Sequence, residues 1–322
     1  MNKLKLIVTG SIAYDYLMTF PGRFSEQFIA DKLDRISVSF LVDTMKQHPG
    51  GCGANIAYNL ALLGEQPHLI GSAGCDFDGY RKRLNQAGVD TSGVLVRDDV
   101  YTASFFANTD QEGNQICSFY TGAMQFARDI DYEAALRGGE TLAIISVDDP
   151  EAMGRAAEAC RATGTDFIYD PGQQIARLDG DALKKGTEGA KILILNEYEH
   201  ELFMKKTGMT NTDILDQVES LIITLGDQGA QIQNRSEEVV IPIAKPEQIL
   251  DPTGVGDAFR AGLLKGMVQG FSWETSGRMG SLAATYVLET EGTQNHHYTL
   301  DTFIQRYEQT FGESKELEAL RA

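Results

Sequence analysis

Short, almost wholly apolar runs recur along the chain: KLIVTG (5–10), HLIGSAG (68–74), LAIISV (142–147), FIYD (167–170), ILILN (192–196) and LIITLG (221–226). Runs this short and uniform suit strands covered on both faces, as in parallel sheets. The segments between them read as helices. Residues 54–63, ANIAYNLALL, put Ile56, Leu60 and Leu63 on one face and stop at Gly64, a good helix terminator. Residues 151–163 and 197–207 are similar, the second amphipathic and strongly charged. Strands alternating with helices predict a doubly wound, mostly parallel α/β sheet with helices on both faces. The 322 residues, 42% of them apolar, suffice for one large α/β domain with an insertion, or for two domains.

Two regions break that rhythm. Residues 14–49 and 100–121 carry alternating segments, RISVSFLVD (35–43), TASFFANT (102–109) and NQICSFY (114–120), with QEGN (111–114) as a hairpin turn. They predict a small antiparallel β-sheet lid standing off a main domain of residues 1–13, 50–99 and 122–322. Its exposed face, with Phe and Ile, is a natural homodimer surface. No internal repeat, low-complexity segment or long linker interrupts the chain.

Charge and motifs exclude several classes. A formal charge of −18, from 28 basic and 46 acidic residues, repels nucleic acid and anionic membrane. The cysteines, Cys52, Cys75, Cys117 and Cys160, form no C-x-x-C pair and suit free thiols in a cytoplasmic protein. The opening MNKLKLIVTGS reads as a first strand, since its apolar run is too brief for a signal peptide, and no apolar run is long enough to span a membrane. The five histidines lack H-E-x-x-H spacing. No G-x-x-x-x-G-K-[ST], G-x-G-x-x-G or G-x-S-x-G pattern occurs at a strand end.

Four Gly- or Asn-marked turns remain, each at a predicted strand end or helix start: HPGGCGAN (48–55), NEYE (196–199), TLGDQGA (224–230) and DPTGVGDAF (251–259). In an open parallel sheet such turns converge beyond the carboxyl ends of the strands, where ligands bind. The last turn places a carboxylate, Asp257, inside an element suited to holding anions. If the amides of 254–257 hold a transferring phosphoryl group, Asp257 lies where an attacking hydroxyl would sit and can take its proton as a general base. Taken alone, Asp257 could equally be an ordinary first-turn helix residue; the other three turns favour the base.

GGCGANIAYNLALLG (50–64) and DPTGVGDAFRAGLL (251–264) resemble the two signatures of the ribokinase-like sugar and nucleoside kinases, and NEYE resembles their N-x-x-E motif. The resemblance runs from residue 5 to about 310. It implies a doubly wound α/β domain with a small β lid. It also implies Asp257 as catalytic base and Gly254, Val255 and Gly256 as anion hole. Asn196 and Glu199 would organise Mg²⁺ and phosphate, usually through water, and Thr224, Gly226 and Gly229 would form the ATP-binding turn. Ser11, Asp15, Gly51 and Asn55 would hold the acceptor's hydroxyls. K⁺ could bind through carbonyls near Asp251, Thr253 and Gly292. Pro252 stands where Thr or Ser is commoner and Val255 where Ala is usual, but neither removes an amide the anion hole needs. Cys52 stands where sugar-specific members often have Lys, which weakens a plain ribokinase reading.

Within the family, SIAYDYLMTFPGRFSEQF (11–28), SVSFLVD (37–43), SFYTGAM (118–124), DPGQQIARL (170–178) and LETEGTQ (288–294) look most like bacterial adenosine kinases of ribokinase type. The expected reaction is ATP-dependent phosphorylation of the 5′-hydroxyl of adenosine. Asp15 can accept from both the 2′ and 3′ hydroxyls, and Asn55 can accept or donate. Phe105 and Phe119 on lid strands can clamp a base, or can be ordinary cross-strand packing. One of Gln173 and Gln174 can read a base edge, while its neighbour points the other way. Cytidine, inosine, ribose or fructose are alternative acceptors, and a catalytically silent nucleoside sensor is the alternative of another class.

Overall fold

The computed structural model describes residues 4–28, 35, 37–137 and 140–321. Among them the strands are β1 (Lys5–Thr9), β2 (Ala13–Thr19), β3 (Thr44–Gly50), β4 (His68–Gly74), β5 (Asp90–Arg97), β6 (Ala103–Thr109), β7 (Gln115–Tyr120), β8 (Thr141–Ile145), β9 (Asp166–Tyr169), β10 (Ile192–Asn196), β11 (Ser220–Thr224), β12 (Ala230–Asn234) and β13 (Glu238–Ile241). The helices are α1 (Cys52–Leu62), α2 (Asp78–Ala87), α3 (Tyr132–Leu136), α4 (Pro150–Thr163), α5 (Gly180–Thr187), α6 (Glu197–Thr207), α7 (Asn211–Leu215), α8 (Val255–Val268), α9 (Trp273–Leu288) and α10 (Leu300–Phe311).

A 9-stranded sheet runs in the order β13-β12-β11-β10-β9-β8-β1-β4-β5, and a 4-stranded sheet runs β3-β2-β6-β7. Strands from β11 to β5 pair in parallel, while β12 and β13 add an antiparallel edge. The expected α/β fold with a small separate sheet is therefore present. The central strands alternate between two cores. Leu6, Val8, Ile192 and Ile194 join α1 and α8 in one, whereas Ile7, Leu193 and Leu195 join residues of α4–α7 in the other. Both faces are thus apolar, which is why these strands read as unbroken hydrophobic runs. A third cluster lies outside, where α8, α9 and α10 meet around Met279, Leu282, Phe303 and Tyr307.

Three expectations about the small sheet need correction. It is mixed, because β2 pairs with β6 in parallel and only β3 and β7 run antiparallel to their neighbours. The segment 35–43 contributes no strand among its described residues; the edge strand is the next stretch, TMKQHPG. The alternation in SVSFLVD marks an aromatic anchor instead: the Phe40 ring stands edge-on to Phe20, Phe24 and Phe28. Pro49 fits an edge strand, where a missing amide costs no ladder bond, so HPGG closes a strand before it opens a helix.

Helices α1 and α8 lie side by side in the same direction. Near their starts the Asn55 amide donates to the Asp257 carboxylate at 2.8 Å. Beyond the other end of α1, Lys265 Nζ donates to Glu65 Oε1 at 2.6 Å, with both side chains under a tenth exposed. Lys265→Met leaves Glu65 buried without this cation and is expected to lower stability by about 3–5 kcal/mol, whereas Lys265→Met with Glu65→Leu recovers most of it. Urea denaturation checks both; equal losses for single and double variants would contradict the clamp.

Candidate active site

Strand order reverses between β1 and β8: the chain leaves β1 toward β4 and β5, then returns to β8 and proceeds outward through β9 to β11. A crevice opens at such a switch point. Along this edge of the sheet follow Ser11 after β1, Ser146 after β8, Asp170 after β9, and then Asn196 and Thr224, register partners closing β10 and β11. Four strand intervals of ~4.8 Å separate the first from the last, roughly 19 Å, long enough for two ligands end to end.

Asp257 is the third residue of α8, whose N-cap is Gly254 at φ 78°. A Cβ at Gly254 would lie 2.9 Å from Thr293 Cβ, so the turn needs glycine on both conformational and steric grounds. The amides of Gly256 and Asp257 precede the first intrahelical bond of α8 and are open to an anion, while the Val255 amide makes a long 3.5 Å bond to the Pro252 carbonyl. The Asp257 carboxylate meets Asn55 of α1 and faces the Cys52 thiol, Arg260 one turn along α8, and Asp170. Burial pushes its pKa up to about 7, against the Asn55 hydrogen bond and the Arg260 charge, which lower it.

Beneath this helix start lies a buried ion pair. Arg260 Nε and NH2 fork onto Asp170 at 2.6 and 2.5 Å, NH1 donates to the Gly256 carbonyl at 3.0 Å, and Ser146 Oγ donates to Asp170 at 2.9 Å. Burial opposes the Arg260 charge, but Asp170 outweighs it and raises the guanidinium's pKa. The pair fastens the first turn of α8 to the ends of β8 and β9 through a planar bidentate contact.

On the other side, β3 enters α1 through Gly51 at φ 92°, where a Cβ would stand 2.5 Å from the Ser11 carbonyl. Ser11 Oγ accepts from the Cys52 amide at 3.1 Å, so the Ser11 hydroxyl caps α1 and keeps its proton and one lone pair for a ligand. In the small sheet His48, Asp15, Phe105 and Phe119 sit directly across from one another on β3, β2, β6 and β7 and share one face. Burial, then the nearby Asp251 charge, pushes Asp15 up to about 6. A Cβ at Gly50 would lie 2.5 Å from Asp15 Oδ2, which places this face at the mouth of α1.

At the far end, Asn196 and Glu199 form a reciprocal helix cap: the Asn196 amide donates to Glu199 Oε2 and the Glu199 amide to Asn196 Oδ1, both at 2.8 Å. Burial raises the Glu199 pKa. Gly226 and Gly229, at φ 60° and 90°, turn the chain from Thr224 into β12. Asp251 Oδ1 accepts from the Thr253 amide at 2.9 Å and Oδ2 from the Gly292 amide at 3.0 Å, so its carboxylate ties two loops together.

The glutamines are a correction. Residues 172–176 form a 3-10 turn, where neighbours do not alternate. Gln174 is buried with its amide donated to the Asp148 carbonyl at 2.8 Å, and Gln173 is exposed on the surface. The expected extended segment is therefore absent, and the Gln174 amide is engaged by the backbone. Asn55 likewise has more partners than expected, because its Oδ1 accepts from Gln294 at 2.9 Å. The sequence reading missed Gln294, Arg260, Asp170 and Asp148. Asp148 is buried, Oδ2 has no partner among the described residues, and burial pushes its pKa up to about 8. Three of the four lie inside segments already singled out, Arg260 in DPTGVGDAFRAGLL, Asp170 at the head of DPGQQIARL and Gln294 at the end of LETEGTQ. Only the fold shows that they meet.

Residues 9–299 match the family model for pfkB family carbohydrate kinases. The chain is 28% identical over 307 residues to the nucleoside kinase of Methanocaldococcus jannaschii, covering 94% of this chain and 97% of the relative. It is 38% identical to the Burkholderia thailandensis nucleoside kinase solved with inosine, with a TM-score of 0.85 and coverage of 96% and 98%. The same enzyme with ADP and inosine gives 0.83 at the same identity and coverage. Thermotoga maritima ribokinase, 20% identical with a TM-score of 0.77 and coverage of 99% of each chain, shares the fold. The match to the family model spans most of the chain and joins motifs that the structure gathers at one switch point; the protein belongs to the pfkB family of carbohydrate kinases.

Proposed function

We propose that this protein is an ATP-dependent nucleoside kinase acting on the 5′-hydroxyl of a purine nucleoside, with adenosine and inosine as the acceptors to test. The observation that carries the reading is the Asp257 carboxylate. It stands at a helix start whose Gly256 and Asp257 amides are open and is gripped by Asn55; in the proposed arrangement it shares a crevice with Asp15 and the aromatic row of the small sheet. Similarity to two nucleoside kinases, one solved with inosine, supports a nucleoside acceptor over a sugar. The aromatic row of Phe105 and Phe119 suits a flat base, and Asp15 suits the ribose hydroxyls.

In the proposed mechanism Asp257 takes the proton of the acceptor hydroxyl. The freed oxygen pair bonds to the γ-phosphorus while the bond to the β-bridging oxygen breaks, releasing ADP. The amides of 255–257 face the charge on the transferring phosphoryl group, and the fork of Arg260 on Asp170 keeps that helix start from shifting. Thr224, Gly226 and Gly229 hold the nucleotide at the β11 end. The lid, residues 14–49 and 100–121, excludes water.

Mg²⁺, when bound, would neutralise phosphate charge. The chain offers it few direct ligands, since Glu199 spends one oxygen on its helix cap and the described residues hold no cluster of three acidic, His or Cys side chains. That donor set suits Mg²⁺ kept largely by phosphate and water, with Glu199 contacting a water. At the Asp251 loops both carboxylate oxygens already accept backbone amides, so K⁺ there would rest on carbonyl oxygens. We propose as well a homodimer through the lid, because every residue of edge strand β7 is exposed, Phe119 by 51%. Light scattering at monomer mass would contradict it.

Three outcomes test the function. ADP release should follow adenosine or inosine far more strongly than ribose or fructose in a direct acceptor panel; a sugar turned over best would overturn the nucleoside reading. Asp257→Asn should fold and lose phosphorylation by several orders of magnitude. Because Asp257 must be ionised to act, wild-type kcat/KM should fall as pH drops through about 7.

The same pKa has a stability consequence. The native state holds this proton between 3.8, the ordinary value, and about 7, so the carboxylate's cost to the fold grows across that window and is complete above it. Asp257→Asn should therefore raise Tm at about pH 9, with the gain vanishing below about pH 4. Scanning calorimetry at both pH values checks this.

A further inference from the structure

A chain of buried hydrogen bonds leads away from Asp257 to the edge of the lid. Asn55 Nδ2 donates to Asp257 at 2.8 Å, and Gln294 Nε2 donates both to Asn55 Oδ1 at 2.9 Å and to the Tyr80 hydroxyl at 2.5 Å. Tyr80 donates in turn to the carbonyl of Gly50 at 2.9 Å. Gly50 is the last residue of β3. Gln294, Asn55 and Tyr80 are each at most 3% exposed, so the bonds among them and to Gly50 are shielded from water, while the Asn55–Asp257 bond is part-buried.

The direction of this chain follows from elementary chemistry. A backbone carbonyl only accepts, so Tyr80 must spend its single proton on Gly50. The Tyr80 oxygen is then an acceptor and Gln294 must turn its NH₂ toward it. That NH₂ also faces Asn55, which must present its oxygen there and its own NH₂ to Asp257. An N–H aimed at a carboxyl group favours the ionised form. Gln294 keeps this orientation although its Oε1 has no partner among the described residues, a cost that a merely space-filling glutamine would avoid by other packing.

We propose that Gln294 is a positioning residue for the phosphoryl-transfer reaction: through Asn55 it dictates that a hydrogen-bond donor, not an acceptor, faces the Asp257 carboxylate. The proposal rests on the reading of Asp257 as general base. Its neighbours stitch the same loop to the lid strand. Glu291 pairs with Lys46, Thr293 Oγ1 donates to the Pro49 carbonyl, and Asn295 meets His48. The base thus takes its orientation from the joint between lid and core. The other groups facing Asp257 are Cys52 on α1, Arg260 on α8 and Asp170 after β9. Those around Gln294 and Tyr80 are Arg83 on α2, which donates to the Gln294 carbonyl, and Tyr14 and Asp15 on β2. All are unchanged in the variants below.

The test compares Gln294→Met, which keeps volume but cannot donate, and Tyr80→Phe, which removes the bond to Gly50 and the acceptor for Gln294 but leaves the Gln294–Asn55 bond in place. In Gln294→Met the acid limb of kcat/KM should move up by about one pH unit, and kcat near neutrality should fall about tenfold with KM for ATP unchanged. Tyr80→Phe should shift the limb the same way by less. The ¹³C titration of the Asp257 carboxyl in the free wild-type and variant proteins reports the shift without turnover. An unmoved limb and an unmoved carbon titration in folded Gln294→Met would overturn the proposal. If Gln294→Met does not fold, Tyr80→Phe decides alone: a shifted limb supports the relay and an unshifted one overturns it. Near-normal turnover by Asp257→Asn would instead overturn the base reading, whichever way the Gln294 variant behaves.

Discussion

The site depends on holding a carboxylate at the first turn of a helix, half out of water, with its charge intact. Burial works against that charge, and the fold supplies two opposing contacts: the Asn55 amide from α1 and the positive field of Arg260. Arg260 shares α8 with Asp257, whereas the Asn55 contact requires α1 and α8 to lie alongside each other with their N-termini level. The Glu65–Lys265 pair beyond the other end of α1 keeps them so. Remove that alignment and Asn55 no longer reaches Asp257, and the two signature turns become unrelated loops.

Charge is handled locally rather than globally. A chain of net charge −18 is a poor general host for phosphates. At the switch point, however, the Arg260 cation is paired with Asp170 as a rigid fork, and in the proposed site backbone amides take the anion. Amides at a helix start bring no side chain to reorganise during transfer, which suits an electrostatic role. Asp15 and Asp257 are both pushed above ordinary carboxylate values, mainly by burial, with Asp251 adding to Asp15 and Asp170 to Asp257.

The large sheet was legible because its strands are buried on both faces, and uniform burial leaves uniform apolar runs such as ILILN. Helices α1, α4 and α6 fell within two residues of where periodicity placed them. The lid was less legible. Residues 37–43 alternate like a strand, yet Phe40 is spent on a ring cluster, and the exposed edge strand TMKQHPG carries no apolar pattern at all. Motif spacing marked Asp257 and Asn55 separately. Their contact, and those of Asp170 with Arg260 and of Gln294 with Asn55, join residues 202, 90 and 239 positions apart. Contacts of that range are invisible to local pattern, and Gln174 shows the reverse case, a polar residue noticed locally but committed by the fold to the Asp148 carbonyl.

The central claim is geometric, and a crystal structure with a purine nucleoside and a non-hydrolysable ATP analogue tests it most directly. The account predicts the nucleoside 5′-oxygen within hydrogen-bond distance of the Asp257 carboxylate and the terminal phosphate against the amides of Val255, Gly256 and Asp257. A terminal phosphate held at a different turn, or an acceptor hydroxyl out of reach of Asp257, would contradict it.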